Sequence, residues 1–139
     1  MDNRRNFLKK SAMAASGMLV VSPLLAAKVK MINIQNFPGI IYTGNDPGMW
    51  EAVESIHIPQ ITVKDNQVTI FTDHPMTEPH YIVRHTLVNE KGEVLGTKTF
   101  MPTDPKAIST HKIPDGFQGT LYATSFCNLH DFWLKEFTI

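Results

Sequence analysis

The single cysteine of this 139-residue chain, Cys127, begins the sequence Cys-Asn-Leu-His that ends at His130. Two further histidines, His74 and His80, bound a short stretch upstream, and His57 stands alone before them. One thiolate and four imidazoles form a ligand set for a redox-active metal, because sulfur suits soft or borderline metals and imidazole suits iron, copper, nickel and zinc. Five donors fill all but one position of an octahedron, so these residues predict a metal centre with one open position for chemistry.

The spacing of these residues allows them to converge on one ion. His74 and His80 would lie about 20 Å apart in a straight strand, but two prolines between them predict a stiff bend that lowers the ordering cost of the site. Cys127 and His130 are three residues apart at a predicted strand end. A tight turn at that spacing can bring sulfur and imidazole to the same metal.

Composition indicates one globular domain. The chain is 42% hydrophobic and 9% aromatic, which is normal for a protein that buries a core. Residues 1–27 hold four of the 13 basic and one of the 13 acidic residues, so the remainder carries a net charge of −3. This balance gives no basic patch for nucleic acid, and we expect no nucleic-acid partner.

Residues 1–27 are predicted to be a targeting segment. Arg4 and Arg5 precede Phe-Leu-Lys and a weakly apolar run to Ala27, which resembles a twin-arginine export signal. The run is interrupted and shorter than the roughly 20 apolar residues of a membrane-spanning helix, so membrane contact is expected only through an uncleaved segment. Export predicts a periplasmic location. A lone cysteine there cannot form an internal disulfide, which leaves a spare thiol or, on our interpretation, metal ligation.

The rest of the chain is predicted to be all-β. Residues 28–50 are rich in Gly, Pro and Asn and predict an irregular arm. Residues 51–139 show no helical periodicity and are predicted to form an immunoglobulin-like antiparallel β-sandwich of about seven strands, although a small barrel would give the same pattern. Asp65-Asn66 predicts a two-residue hairpin turn. The predicted strands are residues 60–64, 67–72, 80–88, 94–101, 107–111, 120–126 and 132–138.

Two motifs together resemble the iron site of superoxide reductases, the neelaredoxin and desulfoferrodoxin family. They are the nine residues HPMTEPHYI that begin at His74 and the CNLH that begins at Cys127, and the similarity covers residues 55–137. The resemblance implies a mononuclear iron with an axial cysteine, Cys127, and four equatorial histidines. Since the chain has no Cys-x-x-Cys pair, it resembles the one-iron members. The equatorial ligands implied are His57, His74, His80 and His130.

The chain departs from the family pattern just before His57. Family members commonly carry Glu-Lys there, where this chain has Ser55 and Ile56. Glu54 lies one residue earlier and is our candidate for the carboxylate that approaches the metal, so Cys127 and Glu54 are the predicted catalytic residues. Losing the lysine should slow association with an anion, because a complete focused electrostatic field raises association rates by about 10- to 10³-fold.

The resemblance implies the one-electron reduction of superoxide to hydrogen peroxide. Cys127 would raise the electron density on iron, as the thiolate does in cysteine-ligated haem, and backbone N–H groups of residues 128–130 would hydrogen-bond to its sulfur. A periplasmic location implies an exported electron donor such as a c-type cytochrome. A homo-oligomer is also possible.

Two other functions fit parts of the pattern. One is an exported iron-binding module for electron transfer or redox sensing. The other is a blue-copper-like electron carrier, although such sites have an axial methionine and no methionine follows Cys127. His85 and His111 match no motif position, so we interpret them as structural or exposed.

Overall fold

The computed structural model describes residues 37–139. The predicted signal segment of residues 1–27 and the first part of the predicted arm lie outside the described residues, and the predicted domain boundaries stay a prediction. Among the residues described, no helix combines the length and the apolar character needed to cross a membrane.

Within residues 37–139, eight strands form two sheets that face each other. The larger sheet has five strands in the order β1-β8-β7-β4-β5, and the smaller has three in the order β2-β3-β6. All neighbours are antiparallel except β1 and β8, which are parallel. The strands are β1 Ile41–Tyr42, β2 Gln60–Lys64, β3 Gln67–Thr72, β4 Ile82–Asn89, β5 Val94–Thr99, β6 Ala107–Lys112, β7 Thr120–Cys127 and β8 Asp131–Thr138.

The predicted immunoglobulin-like β-sandwich is confirmed, with two corrections. The arm contributes the two-residue strand β1, which the sequence analysis missed because so short a strand shows no alternation. The prediction of no helix was wrong, because Gly48–Ile56 forms a 3-10 helix with a kink at Trp50. Three residues per turn and a kink remove the 3.6-residue periodicity that identifies an α-helix. This helix leads directly into His57.

The predicted hairpin between β2 and β3 is confirmed. Asp65 and Asn66 both have positive φ, 50° and 56°, as a type I′ turn requires at its two central residues. This turn therefore sets the register of β2 against β3. Strand β3 ends at Thr72, two residues before His74.

Strand β4 does not follow the predicted alternation at its start. The sequence predicts that Tyr81, Val83, His85 and Leu87 share one face, but a register shift between Ile82 and Arg84 interrupts the ladder. Such a bulge inserts one residue and turns the following side chains over. Ile82 is consequently buried together with His85 and Leu87, and it pairs directly with Cys127 of β7.

The core consists of two apolar clusters with a polar layer between them. The larger cluster contains Val68, Ile70, Leu87, Ile113, Leu121 and Ala123. The smaller one lies at the end of the sandwich that holds Cys127 and also contains Ile82, Phe100 and Ala107. The polar layer consists of Thr72, His85, Ser109 and Ser125, none of which is more than 4% exposed.

The open edge of the sandwich is closed by His111 of β6 packing onto Gly96 of β5. A Cβ atom at Gly96 would overlap His111 Nδ1, closer than van der Waals contact allows. We therefore expect Gly96→Ala to lower the free energy of unfolding by about 1–3 kcal/mol, the usual cost of overpacking. Urea unfolding measures this. The same substitution in a His111→Ala background should cost much less, and an equal cost in both backgrounds would contradict the contact.

Candidate metal centre

The five predicted ligands come from loops at one end of the sandwich. His57 follows the 3-10 helix and precedes β2, while His74 and His80 lie in the connection between β3 and β4. Cys127 is the last residue of β7, and His130 lies in the turn before β8. The structure brings one ligand atom from each of these five residues within 4.8 Å of every other.

Four ring nitrogens form a nearly square arrangement. Around the ring, His57 Nε2 and His74 Nε2 are 3.1 Å apart, His74 Nε2 and His80 Nε2 3.0 Å, His80 Nε2 and His130 Nδ1 3.0 Å, and His130 Nδ1 and His57 Nε2 2.9 Å. The centre of a square with edges near 3.0 Å lies about 2.1 Å from each corner, which is a metal–imidazole bond length. The donor set therefore fits one metal ion at its centre.

Backbone carbonyls fix the tautomers of two of these histidines. His57 Nδ1 lies 2.7 Å from the carbonyl oxygen of Val53, and His74 Nδ1 contacts that of Pro75. Since a carbonyl can only accept, each Nδ1 donates its hydrogen and each Nε2 carries a lone pair. The Nε2 lone pairs of His57 and His74 therefore face each other across 3.1 Å. In the neutral rings neither Nε2 carries a proton that could form a hydrogen bond between them. A cation between them satisfies both, and such carbonyl partners are typical of metal-bound histidine.

Burial favours the neutral form of three of these imidazoles, those of His57, His74 and His80. It lowers the pKa of His57 and of His74 from 6.5 to about 4, and it also lowers the pKa of His80. In each case the loss of hydration of the charged form is the largest cause, followed for His57 and His74 by the opposing backbone hydrogen bond. Neutral imidazole is the form that binds metals.

The sulfur of Cys127 lies on the core side of the square. Cys127 is fully buried, and its Sγ is 3.8 Å from His74 Nε2 and 3.6 Å from His130 Nδ1, which occupy opposite corners. Burial raises the pKa of the thiol, while N–H groups of Leu129 and His130 hydrogen-bond to the sulfur and oppose that rise. Donors of the kind predicted for residues 128–130 are therefore present. The face opposite the sulfur points away from the core.

Two tryptophans hold the histidine rings. Trp133 stacks on His57 with 5.5 Å between ring centroids, and its Nε1 donates to the carbonyl oxygen of His130 at 2.8 Å. Trp50 contacts the His130 ring edge-on at 4.6 Å and donates to Asp131 Oδ2 at 3.1 Å. Both tryptophans therefore form part of the shell around the donor group.

Asn128 joins the two ligand loops and was not singled out from the sequence. Its Oδ1 accepts from the Tyr81 N–H at 2.9 Å, and its Nδ2 donates to the Pro79 carbonyl at 3.0 Å. Its own N–H donates to the Tyr81 carbonyl at 3.2 Å. These bonds hold the loop of His80 against the turn of Cys127. An Asn directly after a ligand cysteine is the sequence signal that could have identified it.

Other candidate residues lie outside the donor group. The Glu54 carboxylate faces the arm, 3.2 Å from the position that a Cβ on Gly44 would occupy. Its catalytic role stays a prediction. Ser55 is exposed and Ile56 is half-buried. His85 is buried in the core and hydrogen-bonded to Thr72 and Ser109, a structural environment.

Three solved structures that are similar to this chain are named as superoxide reductases. A variant of the superoxide reductase (neelaredoxin) from Ignicoccus hospitalis is 29% identical, with a TM-score of 0.63, and the match covers 74% of this chain and 95% of that one. The superoxide reductase (1Fe-SOR) from Giardia intestinalis is 26% identical, with a TM-score of 0.54 and coverages of 61% and 99%. The superoxide reductase from Treponema pallidum is 30% identical, with a TM-score of 0.53 and coverages of 61% and 69%.

The sequence itself gives the clearest assignment. A search of curated protein sequences found no match. A family model described as desulfoferrodoxin matches residues 49–136, which is more than half of the chain and includes all five residues of the donor group. This chain therefore belongs to the desulfoferrodoxin family.

Proposed function

We propose that this protein is a one-iron superoxide reductase, an oxidoreductase that acts on superoxide. The observation that carries the proposal is the donor group itself: four imidazole nitrogens in a square with one cysteine sulfur on the core side. Membership of the desulfoferrodoxin family and the similarity to solved superoxide reductases support it. When bound, iron supplies one electron to superoxide, which with two protons becomes hydrogen peroxide.

The residues of the chain prepare the site for this chemistry. Carbonyl oxygens hold His57 and His74 in the tautomer that presents Nε2. The Cys127 sulfur is the one donor of the group that becomes an anion, and it would raise the electron density on a bound iron. N–H groups of Leu129 and His130 stabilise that anion in its apolar surroundings. The face of the donor group that points away from the core would be the one open to superoxide.

The donor set favours iron over a blue-copper centre. Blue-copper sites use two histidines and one cysteine in a trigonal arrangement with a distant axial methionine. Here four imidazoles surround the position, and Met76 packs beside Cys127 in the apolar cluster. Four nitrogens and one sulfur leave one octahedral position open, which suits a small oxygen species.

Product stoichiometry after a superoxide pulse tests the proposed reaction. Protein purified without oxygen and loaded with ferrous iron should consume one superoxide per iron, yield one hydrogen peroxide and release no dioxygen. A sensing or storage module would react slowly or not at all. Dioxygen formed in a 1:2 ratio to consumed superoxide would instead indicate dismutation and would contradict the proposal.

The further proposal is export to the periplasm by the twin-arginine route, with an exported electron donor such as a c-type cytochrome. It is supported by Arg4 and Arg5 ahead of the weakly apolar run. Replacing both with lysine keeps the charge and should remove the protein from the periplasmic fraction of a host with that export route. Unchanged fractionation would contradict the proposal. Self-association also stays a prediction.

Ile56 occupies the position where the resemblance places a lysine. The ligands are flanked by the exposed acids Asp73, Glu78 and Asp131, which repel an anion. We expect Ile56→Lys to raise the second-order rate with superoxide by about three- to tenfold at low ionic strength, a fraction of what a complete steering field gives. The gain should disappear near 1 M salt, where the Debye length is about 3 Å.

Pulse radiolysis measures this rate directly. Ile56→Met is the matched control, since it changes the side chain without adding charge. If Lys and Met at this position gave equal rates at low salt, the electrostatic explanation would be wrong.

A further inference from the structure

We propose that Thr72, His85 and Ser125 are positioning residues for the metal centre, because their buried hydrogen bonds fix the two sheets against each other beside the ligands. The inference rests on the proposed metal centre, and it concerns residues that match no part of the ligand motifs. Each is fully buried.

The two sheets supply different ligands. His57 precedes β2 and His74 follows β3, both strands of the three-stranded sheet. Cys127 ends β7 of the five-stranded sheet, which also has His80 and His130 next to its strands. A small slide of one sheet over the other would therefore change the distance between the nitrogen of His74 and the sulfur of Cys127.

Hydrogen bonds cross between the sheets one layer below the ligands. Thr72 Oγ1 of β3 donates to Ser125 Oγ of β7 at 2.9 Å and lies 3.0 Å from His85 Nε2 of β4. His85 Nδ1 lies 3.0 Å from Ser109 Oγ of β6. Thr72 is two residues from His74, and Ser125 is two residues from Cys127. Ser125 and Cys127 both belong to β7, where residues two apart point to the same face. Thr72 is tied to His74 by a backbone hydrogen bond, in which the His74 N–H donates to the Thr72 carbonyl at 2.9 Å.

The donors and acceptors of this layer form one continuous chain. Since the Thr72 hydrogen goes to Ser125, Thr72 Oγ1 accepts from His85 Nε2–H. His85 Nδ1 then accepts from the Ser109 hydroxyl, which in turn accepts from His111 Nε2 at 3.0 Å. Among the described residues no buried side-chain nitrogen or oxygen lacks a partner. Every member is satisfied with both histidines neutral.

A layer of hydrogen bonds, which depend on direction, is needed here because apolar packing alone does not set the positions of side chains to less than an ångström. Hydrophobic burial is non-directional, whereas fully satisfied buried networks rigidify a core and specify one arrangement. The apolar cluster around Cys127 contains three further buried residues, Ile82, Phe100 and Ala107, and would tolerate a slide that the hydrogen bonds do not.

The test is binding of Co²⁺ to the metal-free full chain, with the thiolate-to-cobalt absorption as a second readout. Thr72→Val removes the hydroxyl with little change in shape. We expect it to weaken Co²⁺ binding at least about tenfold, the lower end of the effect of residues that orient metal ligands, and to shift the thiolate band. Thr72→Ser keeps the hydroxyl and should restore both readouts.

Two controls separate positioning from general stability. Thr124→Val makes the same chemical change one residue before Ser125, where the hydroxyl is half-buried and contacts only the Thr86 carbonyl, and it should leave both readouts unchanged. Leu87→Ala destabilises the larger cluster away from the ligands and should lower the melting temperature without altering cobalt binding well below it.

The outcomes are distinct. Wild-type affinity and spectrum in Thr72→Val, or equal changes in Leu87→Ala, would overturn the positioning role. A wild-type protein that binds Co²⁺ through its thiolate but does not reduce superoxide would contradict the proposed function alone. Failure of the wild type to show a thiolate band would overturn both.

Discussion

Replacing Cys127 with serine is expected to abolish the sulfur-to-iron charge-transfer absorption and to lower the rate of superoxide reduction by at least about 100-fold, or about 2.7 kcal/mol in the barrier. The four imidazoles are neutral ligands, so Cys127 is the one donor of the group that brings negative charge to the metal. A serine hydroxyl in the same apolar cluster stays protonated and donates far less electron density. The N–H groups of Leu129 and His130 would lose the anion that they stabilise.

Spectra of the oxidised protein and pulse radiolysis of the reduced protein measure the two effects. Met76→Leu is the matched control, because Met76 is a second sulfur-bearing side chain packed against the same cluster. It should keep both the absorption band and the rate. A serine variant that kept its band, or a leucine variant that lost it, would mean that the sulfur ligand has been assigned to the wrong residue.

Metal affinity is expected to rise about tenfold per pH unit between pH 7.5 and 8.5, with one proton released per metal ion bound. Burial raises the pKa of the Cys127 thiol above its ordinary value of 9.0, so the metal-free protein holds that proton throughout this range. His57 and His74, whose pKa burial lowers to about 4, are protonated only well below it and release none.

Titration calorimetry in buffers of different ionisation enthalpy counts the released protons, and chelator competition gives the affinity. In Cys127→Ser the proton release and the pH dependence should both disappear over this range, because the thiol that supplies the proton is gone and burial keeps His57 and His74 neutral there. Release of no proton by the wild type would show that the thiol does not bind as thiolate. Release of two or more would show that buried histidines are protonated in the metal-free protein, contrary to the effect of burial on their pKa.

The sequence alone predicted the parts of the site that depend on residue type and on local spacing. The alternation on either side of Asp65-Asn66 specified a hairpin, and its turn has the conformation that the two residues favour. His74, His80, Cys127 and His130 each lie next to a predicted strand end, which is where the structure has them. Their residue types specify the chemistry because few other side chains bind a redox-active metal.

The structural features that the sequence alone did not predict depend on contacts between segments far apart in the chain. The 3-10 helix that delivers His57 is too short and kinked for a period to show. The bulge that pairs Ile82 with Cys127 reverses a regular alternation, and no local signal marks it. The bond between Thr72 and Ser125 joins residues 53 positions apart and depends on how the sheets face each other. Neither residue would be singled out before that arrangement is known.

The direction of the Glu54 side chain also depends on structure that the local sequence does not show. Sequence proximity to His57 makes its carboxylate a candidate for the open metal position, and that role stays a prediction. In the structure its side chain lies against Gly44 of the arm. The conformation of the 3-10 helix sets that direction, and proximity along the chain does not.

The most direct test of the central claim is X-ray absorption at the iron edge of the ferrous protein. Its extended fine structure counts the sulfur and the lighter neighbours of the metal. One sulfur together with a shell of at least four nitrogen neighbours, whose imidazole rings give outer-shell scattering, is the result that the structure predicts. A spectrum without sulfur, or with fewer than three imidazoles per iron, would contradict it.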